Sequence, residues 1–208
     1  MKFLLLLVSA VSCFGAGVNL PTSRTSVSPD GHWIVRCVTT EQPDGYLHIV
    51  YLGRSGAKKE EAVWQATRSC DVLWSADGQS LAITDWTGSS LSEIQIVDAA
   101  TAKTRRLNVA GVENLIQKEE MEGHCYYEAL RWDSSRRLQI RIFGHTDENP
   151  SHGFAYYLSV DTQSGEAKLM KKEDQEPNQG PSEGVRAIRR GHAVPFTFSS
   201  FGRCWRAG

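Results

Sequence analysis

The chain has 208 residues, which suits one domain or one domain with ordered extras. Its 40% hydrophobic and 23% charged content is ordinary for a soluble globular protein. Lys and Arg number 23 against 24 Asp and Glu, and a net charge of −1 gives no global electrostatic reason to expect nucleic acid or an anionic membrane as partner.

The N-terminus, MKFLLLLVSAVSCFGAG, carries one Lys, an apolar run from Phe3 to Val8 and then small residues. That layout predicts a secretory signal peptide over residues 1–17. The apolar run is too short to cross a bilayer, which takes about 20 residues. Ala10-Val11-Ser12 ahead of Cys13 suits ordinary cleavage, and cleavage near Gly15 to Gly17 fits equally. The same stretch resembles a bacterial lipobox, which would make Cys13 a lipidation site, although Ala10 stands where that pattern usually has Leu. The expectation is an exported chain, periplasmic or extracellular, touching membrane only through its signal or a lipid anchor. Without Cys13, the remaining Cys37, Cys70, Cys125 and Cys204 are an even set in an oxidising compartment. They allow three full pairings, among which sequence does not choose, and scattered thiols are the alternative. No C-x-x-C pair is present to suggest a redox motif or a zinc knuckle.

Beyond the signal, VNLPTSRTSVSPDG is polar and rich in turn residues. HWIVRCV then alternates Trp33, Val35 and Cys37 against Ile34, Arg36 and Val38, a strand period. Pro43, Asp44 and Gly45 form a turn, and YLHIVYL and EAVWQATR supply further strands. A second unit follows: DVLW, a turn at Ala76-Asp77-Gly78, the strand SLAITDW, and EIQIVD with Ile94 and Ile96 on one face. TRRLNV reads as its outer strand. GVENLIQKEEMEG has Val112, Leu115, Ile116 and Glu119 at helical spacing between two glycines, so a short helix or irregular excursion is expected there. A third unit begins at Trp132, with RLQIRIF, the loop GHTDENPSHG, FAYYLSVD and a closing strand AKLMKK. From Glu173 onward the chain is first polar and rich in Pro and Gly, then basic with aromatics of no clear period. The domain plan is therefore 1–17 signal, 18–172 repeats, and 173–208 linker and poorly ordered tail. Within the tail, PFTFSSF is the segment able to add a strand.

The recurrence is the strongest feature. VSPDGHWIV from Val27 returns as WSADGQSLAI from Trp74 and, loosely, as WDSSRRLQI from Trp132. Units of this size and order match a four-stranded propeller blade. The chain resembles the TolB-type β-propeller repeats through Ser28, Pro29, Asp30 and Gly31, through Ser75, Ala76, Asp77 and Gly78, and through Asp161, Thr162, Ser164 and Gly165. Unit three lacks the Asp-Gly turn, and the second half of unit one fits poorly. The resemblance implies an all-β fold, a partial β-propeller of about three four-stranded antiparallel blades, with a small β-sandwich as the alternative. It also extends to the propellers of some serine peptidases, whose catalytic domain is separate.

Asp30, Gly31, Asp77 and Gly78 are read as turn-formers, since Asp accepts backbone N–H bonds and Gly takes positive φ. No G-x-S-x-G elbow, Walker loop, dinucleotide fingerprint or H-E-x-x-H helix occurs, and no cofactor is implied. His145, Asp147, Glu148 and His152 in the 144–153 loop are weak metal candidates, of ligand type but without a standard spacing. His124 and Cys125 are adjacent, so in a strand they point to opposite faces and make a poor nucleophilic pair. Trp33, Trp64, Trp74, Trp86 and Trp132 would line a sugar surface, but Trp74 and Trp132 hold equivalent repeat positions, which indicates packing. Three readings result: a non-catalytic protein-binding scaffold that meets a protein partner or itself, a metal-dependent hydrolase using the 144–153 loop, and a truncated propeller fragment without independent activity. Three blades are fewer than a closed ring needs, so two chains making a six-bladed ring is one way to close the arc.

Overall fold

The computed structural model describes residues 18–19, 25–43 and 45–175. The expectations for the signal, for Cys13 and Cys204, and for the tail past residue 175 lie outside the described residues. Among the described residues thirteen strands form: β1 (Val18–Asn19), β2 (Thr25–Val27), β3 (Trp33–Gln42), β4 (Gly45–Arg54), β5 (Glu60–Ala66), β6 (Cys70–Trp74), β7 (Ser80–Asp85), β8 (Glu93–Asp98), β9 (Thr104–Arg106), β10 (His124–Trp132), β11 (Arg137–His145), β12 (Gly153–Asp161) and β13 (Ala167–Gln175). They make three antiparallel sheets, β2-β3-β4-β5, β6-β7-β8-β9 and β10-β11-β12-β13, with β1 added beside β6.

Each sheet is one repeat of the sequence, and its first hairpin shows why. Ser28 donates its hydroxyl to Asp30 Oδ1 at 2.5 Å and accepts from the Trp33 N–H, while the His32 N–H donates to Asp30. The second unit copies this with Ser75, Asp77, Gln79 and Ser80. Gly31 and Gly78 take φ of 75° and 70°, where a side chain is strained. Gly78 has a second reason to lack a side chain: a Cβ there would lie 2.5 Å from Asp30 Oδ1 of the neighbouring turn. Gln79 Nε2 donates to that same carboxylate at 3.1 Å, so the first two repeats are tied turn to turn. The third unit forms its hairpin without an Asp-Gly pair. Asp133 N–H bonds the Arg137 carbonyl, and Ser134 Oγ accepts from Arg137 N–H.

The middle sheet is apolar on both faces, and its alternation feeds two cores. Val72, Trp74, Leu81, Ile83 and Val97 pack with Val35, Cys37, Val50 and Leu52 of the first sheet. Leu73, Ala82, Ile94 and Ile96 pack with Leu138, Ile140, Ile142 and Leu158 of the third. Three sheets stacked face to face in chain order are successive propeller blades, not the two layers of a sandwich. The fold is all-β and a partial propeller.

β10 runs along the middle sheet, and its outer edge is satisfied there. The Tyr127 N–H donates to Ser92 Oγ at 2.7 Å and the Ala129 N–H to Thr84 Oγ1 at 3.0 Å. Trp132 Nε1 donates to the Leu73 carbonyl, so the repeated Trp is a packing residue that reaches the preceding blade. The segment 111–123 is not one helix. A 3-10 turn (Val112–Asn114) and a short α1 (Lys118–Glu122) are separated because Gln117 stays extended, at ψ 144°. β4 is a full ten-residue strand despite the weak repeat match, since it pairs along nearly its whole length with β3. β13 continues past the boundary expected at residue 172 because β12 is long enough to pair Glu173, Asp174 and Gln175 with Ala155, Phe154 and Gly153.

Candidate functional site

Antiparallel order sends the Asp turns to one end of the sheets and the longer connections to the other. At the loop end, residues 86–92 after β7, the start of β10 and residues 146–152 meet. Alternation along β10 and β11 turns Cys125 and Ile142 into the core and leaves His124, Tyr126 and Glu128 opposite His145, Phe143 and Arg141 on the outer face. The cross-strand pairs build a continuous stripe. His124 and His145 stack at 4.3 Å with their planes 22° apart, and Tyr126 lies 5.3 Å from Phe143. Gly144 makes this approach feasible, for a Cβ on it would overlap the His124 carbonyl.

Trp86 arrives from the middle sheet and closes the stripe, 6.2 Å from Tyr126 and 6.4 Å from Phe143. Its indole N–H donates to Asp71 Oδ2 at 2.8 Å. The Tyr126 hydroxyl donates to the Ser89 carbonyl, fixing the loop beside it. Arg141 lies 4.0 Å over the Phe143 ring and pairs with Glu128 at 2.6 Å. All of these rings are half-buried.

The 144–153 loop faces two ways. His145 belongs to the stripe, and Asp147 reaches to 3.9 Å from His124 Nε2. Glu148 is exposed. His152 is on the other side, where its ring meets Asn149 Oδ1 at 3.0 Å and Ser151 Oγ at 3.1 Å. It borders a shallow cleft of about 340 Å³ that also touches Gln117, Glu120, Thr146 and Asn149. The ligand types of the loop are thus divided, and among the described residues no group of three His, Cys, Asp or Glu is placed to hold a metal ion.

Beneath the cleft, Tyr156 donates its hydroxyl to buried Glu120 at 2.5 Å, and Lys172 Nζ lies 3.4 Å from the other Glu120 oxygen. Burial first, and the bond to Glu120 second, hold the Tyr156 hydroxyl above the ordinary phenol range. Cys125 is pushed up to about 11, mainly by burial, which opposes thiolate formation. It faces the core while His124 faces outward, so the two do not form a catalytic pair.

Asp30 and Asp77 are at the opposite end, engaged in their turns. The Ser28 hydroxyl bond holds the Asp30 carboxyl below its usual range. Sequence reading missed the Trp–Asp pairs. Trp64 Nε1 donates to Asp85 Oδ2 at 2.8 Å, and Asp85, only 3% exposed, has its other oxygen without a hydrogen-bond partner. Desolvation raises the Asp85 pKa. The polar Asp85 ending an otherwise apolar strand was the available signal.

No protein-family model matches this chain, and no curated protein matches it. Several solved structures do. The acylaminoacyl peptidase of Pyrococcus horikoshii is 12% identical, with a TM-score of 0.46 over 81% of this chain and 26% of that one. The β-propeller domain of the Trilobed protease from Pyrococcus furiosus, described as having an open velcro topology, is 14% identical, with a TM-score of 0.43 over 80% and 44%. A puromycin hydrolase is 13% identical, with a TM-score of 0.34 over 74% and 29%. The chain spans less than half the length of each of these structures, and its fold assignment rests on its own three sheets.

Proposed function

We propose that the chain is an exported, non-catalytic repeat protein of the TolB type that binds a protein partner through the loop end of its second and third sheets. The observation that carries this reading is the stripe of Trp86, Tyr126 and Phe143 with Arg141 at its side. Trp, Tyr and Arg are the residues that dominate binding energy at protein interfaces. Cross-strand pairing holds these rings in place beforehand, so little side-chain freedom is lost on binding. The repeated Ser-Asp turn network supports the TolB-type reading, and the N-terminal 17 residues support export.

A photo-cross-linking amino acid at Phe143, compared with one at Gln163 on the opposite end, tests the surface in cells. A single discrete protein adduct from position 143, lost on Trp86→Ala with Tyr126→Ala, is the expected result. Identical adducts from both positions, or none from 143, overturn it. The competing reading is the metal-dependent hydrolase using the 144–153 loop, whose ligand-type residues lie on two different sides of that loop. Calorimetric zinc titration decides this: stoichiometric binding abolished by His145→Ala would replace the scaffold reading.

A further inference from the structure

We infer that Cys37 and Cys70 form a disulfide that joins the first and second sheets, made by exchange with a disulfide donor while the chain folds. Cys37 sits within β3 and faces the middle sheet, and Cys70 opens β6 and faces the first. Both belong to the same core, at 0% and 2% exposure. The two are free thiols in this structure, near enough for each to shift the ionisation of the other. Cys125 belongs to the other core, on the far side of the middle sheet, so the fold separates it from this pair. Among the three described cysteines, this geometry singles out the Cys37–Cys70 pair.

The pair is also chemically polarised. Hydrogen bonding from Cys70 holds the Cys37 thiol below its ordinary range. The same bond, then burial and the nearby Asp85 and Asp71 carboxylates, hold Cys70 above it. These environments arise only once the sheets meet, so in the folding chain either thiol can attack first, Cys37 for example. Its thiolate attacks the donor disulfide and releases one donor thiolate, leaving a mixed disulfide on Cys37. The Cys70 sulfur, giving up its proton, then attacks the Cys37 sulfur and expels the second donor thiol. The protein loses two hydrogens and the donor gains them. Because both sulfurs are enclosed once the sheets meet, the exchange takes place before the first core closes. The inference does not depend on the partner-binding reading.

The full chain, reduced and unfolded, is refolded in oxidised glutathione, then unfolded, alkylated, digested and mapped by mass spectrometry. The expected product is the Cys37 peptide joined to the Cys70 peptide, with Cys125 alkylated, and the same link in Cys125→Ala. Alkylation of both Cys37 and Cys70 would overturn the inference, as would a link from either to Cys125 or Cys204. Mapping the chain isolated already folded from an oxidising compartment reads the same bond without any refolding step.

Discussion

The carboxylate of Asp161 accepts the backbone N–H groups of Gln163 and Ser164 at 2.9 and 3.0 Å and faces Arg136 at 3.2 Å. The Ser164 bond contributes most to holding its pKa down at about 2 against an ordinary 3.8. A carboxyl depressed by folding stabilises the fold above its unfolded pKa, and this stabilisation is lost as pH falls toward the folded value. Asp161→Ala is expected to melt at a lower temperature than wild type at pH 7, and the two to converge near pH 2. An undiminished gap in acid would refute this assignment. Asp85 has the opposite sign. Burial raises its pKa, so the folded state carries a penalty above that value and none below 3.8, where both states are protonated. Asp85→Asn keeps an oxygen for the Trp64 indole and removes the buried charge. Thermal melts should show it more stable than wild type at neutral pH and equal to it in strong acid; a loss at pH 7 would show that the charge is needed. The Asp161 turn was legible in sequence because its partners are two and three residues away. The state of Asp85 was not, because it depends on Trp64, which joins it only through the packing of two sheets.

Thr84 and Ser92 show the same limit for whole strands. Both are nearly inaccessible, and both accept backbone N–H groups of β10, residues more than thirty positions further along the chain. Alternation along SLAITDW and EIQIVD correctly indicates strands, yet it makes Thr84 look like an ordinary polar interruption and leaves Ser92 just outside both runs. Their role exists only because the edge of β10, unpaired within its own sheet, is laid against the middle one. Removing one acceptor leaves a buried donor unsatisfied, at a cost of about 1–3 kcal/mol. Thr84→Val should lose that much in urea unfolding, whereas Thr84→Ser, which retains the oxygen, should recover most of it. Equal losses for both substitutions would mean that shape, and not the hydrogen bond, holds β10 in place. Turn chemistry was the readable part of the elements, being local. The start of α1 at Gln117 is local too, fixed by its capping box with Glu120, whereas the extension of β13 was set by strand pairing that no local pattern encodes.

At the scale of the molecule, the middle sheet is covered on both faces, and the first and third are each covered on one. The repeat made three blades legible. It left the uncovered faces undetermined, because the same hairpins suit an open arc and a closed ring. On the first sheet that face presents Ile34, Val38, Ile49 and Tyr51, with Arg36 over the Tyr51 ring at 5.0 Å and paired with Glu60. On the third it presents Tyr126, Phe143 and Tyr157, with Arg141 over Phe143 and paired with Glu128. Both faces are built alike, with apolar and aromatic side chains around an arginine whose charge is already matched. Covering such a surface gains apolar burial against the desolvation of one ion pair on each face. Propeller rings close with about 4–8 blades, and two copies related by a two-fold axis supply six. Each first sheet would then meet the partner's third, and the second copy would itself be the protein that covers the stripe of Tyr126 and Phe143. Light scattering at micromolar concentration should return twice the monomer mass, and Ile49→Asp on the first sheet should return the monomer with its circular dichroism unchanged. A wild-type chain that stays monomeric across that range rules out the two-chain ring and leaves the outer faces for a different protein to cover.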